Sequence, residues 1–97
     1  MAIRFEWDAK KATSNLAKHG VTFEMARESF KDPQAFVEID DRQDYGEERL
    51  VRIAMVGIRY VHVIYAERAD PRSGDEVIRI ISARKATPHE RRTYHES

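Results

Sequence analysis

A chain of 97 residues without cysteine excludes a disulfide framework and a thiolate metal site, so one modest core of packed side chains must carry the fold, which suits a reducing cytoplasm. Its longest apolar runs are strand-sized and the N-terminus lacks the basic-then-apolar pattern of a signal peptide, so a cytoplasmic protein with no membrane partner is expected. Seventeen basic residues balance 17 acidic ones, which taken whole argues against a nucleic-acid partner. The distribution reverses that impression. Residues 1–48 hold 7 Lys or Arg against 11 Asp or Glu, whereas residues 49–97 hold 10 against 6. Nine of those ten are arginine, whose planar fork suits phosphate oxygens.

In chain order, Ile3, Phe5 and Trp7 alternate with Arg4 and Glu6, as in a short strand with one buried face. Asp8 has the character of an N-cap. Small or apolar residues at 9, 12, 13, 16 and 17 then follow at helical spacing, with Lys10, Lys11, Asn15 and Lys18 on the other side. Gly20 ends that helix as a left-handed cap, with His19 beside the negative end of the dipole. Thr22 caps a second helix with Phe23, Ala26, Arg27 and Phe30 along one stripe, and Asp32-Pro33 ends it.

Phe36 to Ile39 reads as a short strand, followed by an acidic loop over Glu38 to Glu48. Its carboxylates at 40, 41 and 44 miss the ligand spacing of a calcium loop, so a solvated loop or a contact for a basic partner is the better reading. Arg49 to Val56 and Tyr60 to Arg68 form a hairpin around Gly57. The loop Ala69 to Asp75 returns the chain into Val77 to Ile81, a β-branched run too dense for one-sided alternation and therefore buried on both faces. Ser82, Arg84 and Lys85 stand at its exit. Thr87 and Glu90 have capping-box spacing, with Pro88 at the first position of a helix carrying Arg91, Arg92, Tyr94 and His95. The order predicts an α+β fold over residues 1–97 as a single domain: an antiparallel sheet packed with two N-terminal helices and a short C-terminal helix, all against one sheet face.

Several chemistries lack their parts. No G-x-S-x-G elbow and no glycine-rich phosphate loop is present, and His19, His62, His89 and His95 lack the pairing of a zinc helix. No metal and no cofactor are expected. What remains suits one reaction, scission of RNA by attack of its own 2′-hydroxyl on the adjacent phosphate. The protein then has to stabilise phosphoryl charge, protonate the leaving oxygen and hold the nucleotides in line. Arg52, Arg68, Arg79 and Arg84 are candidate charge stabilisers, and His62 or Glu67 a candidate proton carrier. Each has a structural alternative: a hydrogen-bonded core histidine for His62, an ion pair for Glu67 or Arg79.

The stretches FEWDAKKATSNLAKHGVTFEMA, residues 5–26, and RIISARKATPHERRTY, residues 79–94, resemble the opening and closing patterns of the BrnT family of ribonuclease toxins. Lys11, Asn15 and Lys18-His19-Gly20 carry the first resemblance. It implies a RelE-like fold and cleavage of RNA that inhibits translation. It also implies a BrnA-type antitoxin that neutralises the toxin by direct binding, with operator DNA met only through that complex. The leading reading is a metal-independent endoribonuclease toxin in which Arg68, Arg79 and Arg84 stabilise the transition state and His62 carries the proton. Lys18, Arg49, Arg52, Lys85, Arg91 and Arg92 then hold the RNA backbone. The alternatives are a module that binds RNA or protein without cutting, and a structural partner subunit whose arginines form interface ion pairs. With few apolar residues beyond Tyr94, the last helix is expected to dock weakly.

Overall fold

The computed structural model describes residues 2–41 and 46–97. The elements are β1 (Ile3–Glu6), α1 (Ala9–His19), α2 (Phe23–Glu28), which tightens into a 3-10 turn (Ser29–Lys31), β2 (Phe36–Asp40), β3 (Arg49–Val56), β4 (Arg59–Ala69), β5 (Glu76–Lys85) and α3 (Pro88–Glu96). Helix ends fall where local chemistry puts them. The Asp8 carboxylate accepts the Lys11 N–H at 3.0 Å, and Thr22 Oγ1 accepts the Met25 N–H at 3.0 Å. Gly20 adopts φ 70° and returns its N–H to the Leu16 carbonyl at 2.8 Å, a backbone conformation that favours glycine. Thr87 and Glu90 complete a reciprocal capping box.

The strands form one sheet in the order β1-β5-β4-β3-β2. β2 to β5 are the expected antiparallel meander, and β1 adds to the outer edge of β5 in parallel, Ile3 opposite Glu76 and Glu6 opposite Arg79. The sheet is therefore mixed. β4 explains why both faces are covered. Val61, Val63 and Tyr65 pack with Val21, Phe23 and Ala26 against α1 and α2, while Tyr60 and Ile64 join Val51, Ile53, Phe36 and Tyr94 on the opposite face. α3 consequently lies across the sheet from the other two helices, which corrects the expectation of helices on a single face. A strand apolar on both sides needs cover on both sides.

β5 is longer than its apolar run and carries a register shift. Ile64 faces Ser82, but Tyr65 faces Ile80, so Ile81 is an extra residue between them. A one-residue bulge reverses the alternation of side chains beyond it. Ile78 and Ile80 point toward α1 and α2, as does Ala83, whereas Arg79 and Arg84, odd and even positions of one strand, come to share the α3 face.

Helix α1 also differs from its expected stripe. Leu16 is 47% exposed and Asn15, placed on the polar side by spacing, is only 8% exposed. Beyond Arg79, no strand among the described residues pairs the outer edge of β5. The Asn15 amide takes that place: Nδ2 donates to the Ala83 carbonyl at 2.7 Å and to the Val21 carbonyl at 2.9 Å, and Oδ1 accepts the Ala83 N–H at 3.1 Å. A buried strand edge must satisfy its backbone groups, and one amide here does so. Among the described residues, no helix is long and apolar enough to cross a membrane.

Candidate active site

The α3 face of the sheet collects most of the sequence-predicted residues, at three levels along β4. At the first, His62 on β4 stands opposite Arg84 on β5 and Ile53 on β3. The capping box of α3 brings Glu90 over this pair. Arg84 donates from both guanidinium nitrogens to the two Glu90 oxygens, at 2.8 and 2.9 Å, the bidentate geometry that arginine and carboxylate favour. Nε2 of His62, which is 5% exposed, lies 3.6 Å from Oε2 of Glu90, and the Thr87 N–H donates to Oε1 at 2.9 Å. Burial works to raise the Glu90 pKa. The Arg84 and Thr87 hydrogen bonds and the charges of His62 and Arg84 outweigh it and bring the carboxyl down to about 2. Glu90 is an ionised hub joining the end of β5, the middle of β4 and α3.

The second level lies four residues farther along β4, roughly 13 Å away at strand rise. Here Arg49 and Arg79 flank the small Ala66, and both reach Glu47, Arg49 at 3.7 Å and Arg79 in direct contact. Asp40, 6% exposed, is the register partner of Arg49 on β2. Arg68 stands beyond, on the same face, bonded to Glu6 at 2.6 Å. The third level is at Tyr60, where Arg91 lies over the ring at 4.7 Å from its centroid and Lys85 closes the strand. Arg92 is exposed on α3 and Lys18 on α1.

Four candidates fall elsewhere: Lys18 stands on α1, Lys85 is the register partner of Val61 and shares the α1–α2 side, and Arg52 and Glu67 face α2. Arg52 points to the α2 face, where Nε donates to the Ser29 carbonyl at 3.2 Å and Nη2 to the Asp32 carbonyl at 3.3 Å, and its guanidinium covers Phe30 at 4.5 Å. That guanidinium binds the end of the 3-10 turn to β3. Glu67 shares the α2 side, where a hydrogen bond with Glu76, then burial, then the charge of Glu76 raise its pKa.

α3 has no fully buried side chain, yet polar contacts dock it. The Tyr94 hydroxyl donates to Asp32 at 2.8 Å, and the Tyr60 hydroxyl meets His95 Nε2 at 2.7 Å. Burial and the Asp32 carboxylate push Tyr94 up to about 12. Burial also works to raise Asp32, but hydrogen bonds from Met55, Gln34 and Tyr94 and the charge of Arg52 lower it. Beside His62, a cleft of about 280 Å³ between β2 and α3 is lined by Glu38, Asp40, Asp41, His89 and Glu90. Four carboxylates there disfavour a phosphate. Asp44 of the acidic loop lies outside the described residues.

A family model described as the ribonuclease toxin BrnT of type II toxin-antitoxin systems matches residues 7–90. The chain belongs to that family. It is a type II toxin with a ribonuclease role, and its partners are RNA and an antitoxin. A search of curated proteins found no match. The BrnT match runs from the end of β1 to Glu90 and so takes in His62, Arg79 and Arg84. Sequence reasoning missed Glu90 as part of this site because its capping role already accounted for it. The available signal was Arg84, six residues earlier, with a proline-started helix turning the chain back between them.

Proposed function

We propose that this BrnT chain cuts RNA without a metal ion, by attack of the substrate 2′-hydroxyl, and thereby inhibits translation in the cytoplasm until a BrnA-type antitoxin binds it. The observation that carries the reading is His62 held against Glu90 on the face that Arg79 and Arg84 share. Glu90, ionised and fixed by Arg84, orients the imidazole, which is the group able to give a proton to the leaving 5′-oxygen. Arg84 is thus a positioning residue. Arg79 and Arg68 hold exposed ion pairs, which are weak, so a phosphate can displace Glu47 and Glu6 from them. Arg49 sits beside Arg79 and extends the same track. Operator DNA is met through the antitoxin complex.

The competing reading, RNA binding without cleavage, is favoured by the engagement of Arg68, Arg79 and Arg84 with carboxylates. Incubating a defined RNA with the protein in EDTA separates the two. The expected result is cleavage that leaves a cyclic phosphate or 3′-phosphate, reduced at least 100-fold in His62→Gln, since a positioned proton carrier contributes about 10²–10⁴-fold. Undiminished cleavage by His62→Gln refutes the assigned role. Tight, salt-dependent binding with no cleavage refutes the enzyme.

A further inference from the structure

A cleft of about 440 Å³ opens at the end of the sheet, between the C-terminus of α1, the tip of the β3–β4 hairpin and the exit of β5. His19, Arg59, Lys85 and Arg91 line it, and among the described residues no Asp or Glu does. What sets these groups apart is that they share one cleft, whereas carboxylates engage several of the other arginines. Arg4, Arg68, Arg79 and Arg84 each hold a carboxylate. Among the described residues, none of the three cleft cations, Arg59, Lys85 and Arg91, is in a salt bridge. Arg59 meets Met25 Sδ at 4.0 Å, and Arg91 lies on the Tyr60 ring. Cations gathered without counter-charges repel one another, and an anion relieves that repulsion.

The apolar parts of the cleft narrow the anion. Tyr60 is braced edge-on by Tyr94 at 5.7 Å and by His95 at 5.5 Å, so the Arg91 guanidinium laid on it is a supported planar surface. Ile58, at the hairpin tip, is 92% exposed. Free phosphate has no use for a flat guanidinium and an apolar rim, but a nucleotide with an unstacked base does.

We propose that this cleft is a subsite for single-stranded RNA, with Arg59 and Lys85 on a phosphate and the base against Arg91 and Ile58. The proposal rests on the ribonuclease reading for its meaning. Tyr60 stands two residues before His62 on the same face of β4, roughly 7 Å away, and Arg91 directly follows Glu90. The cleft then seats a nucleotide flanking the one that is cut.

The test uses a labelled oligonucleotide with 2′-O-methyl riboses, which binds but cannot be cut, read by fluorescence anisotropy across a salt series. Arg59→Gln/Lys85→Gln is compared with wild type and with Arg72→Gln on the distant β4–β5 loop, and Arg91→Gln serves as an independent second variant. The double variant is expected to lose tenfold or more in affinity and to flatten the salt slope by about 1.4, two cations at about 0.7 each on a single strand. On cleavable RNA, its loss on a decamer should exceed its loss on a dinucleotide by at least tenfold, mostly through KM. Binding and decamer cleavage equal to those of Arg72→Gln overturn the subsite while leaving the nuclease reading intact. Affinity loss with no cleavage by any form overturns the nuclease reading and keeps the subsite. Loss of binding to an acidic antitoxin peptide, with RNA binding intact, assigns the cleft to that partner and overturns the proposal.

Discussion

Replacing Glu90 by Gln keeps its shape and removes its charge, so the variant imitates a permanently protonated hub. In the wild type the carboxyl is held at about 2 against an ordinary 4.5, and each pH unit is worth about 1.4 kcal/mol. The full difference is about 3 kcal/mol, and 18% exposure of the side chain brings it to about 2 kcal/mol. The sign follows from the lowered value. Stabilisation by the carboxylate is fully present above pH 4.5 and is lost as pH falls through about 2. Urea unfolding of both proteins at intervals from pH 2.5 to 7 therefore has a defined expected outcome. The wild type and Glu90→Gln should converge at the acid end and separate toward pH 4.5. Above that they should stay apart by about 2 kcal/mol at unchanged m-value. Other carboxylates protonate in both proteins and cancel in the comparison. A gap independent of pH, or none, refutes the idea that Glu90 works as a buried charge. Loss of cleavage alongside the stability gap is expected from the same variant, because His62 then loses its orienting anion.

Two further substitutions separate architecture from function. Asn15→Ala strands the Ala83 N–H and carbonyl at a buried strand edge and should cost about 3 kcal/mol, read as a lowered urea midpoint; a cost under about 1 kcal/mol refutes the edge-capping role. Arg52→Ala should cost about 1.5–3 kcal/mol through its lost carbonyl bonds and its contact with Phe30. Its RNA affinity should match wild type, and a fall of tenfold in a folded variant places Arg52 back among the RNA contacts.

The sequence by itself determined what is written within a few residues. Asp8 and Lys11, Gly20 and Leu16, Thr22 and Met25, and Thr87 and Glu90 each bond across three or four positions, so the helix ends were legible from residue types and spacing. The alternation along Tyr60 to Arg68 marked β4 as central for the same reason, since side-chain direction along a strand has a period of two. The arginine-rich second half pointed to phosphate, and the two end motifs pointed to the family that the chain belongs to. The tertiary structure decided what depends on partners far along the chain. The bulge at Ile81 puts Arg79 and Arg84 on one face, and no composition rule announces it, because it is set by how β4 and β5 must both pack. Asn15 is buried because β1 stops short of Ala83, 68 residues away in sequence. Arg52 is drawn to the 3-10 turn by the Ser29 and Asp32 carbonyls, 23 and 20 positions away along the chain. Glu47 and Glu90 find their arginines only once strands and helix are stacked. Charge partners act through space, and space between distant residues exists only after the chain has folded.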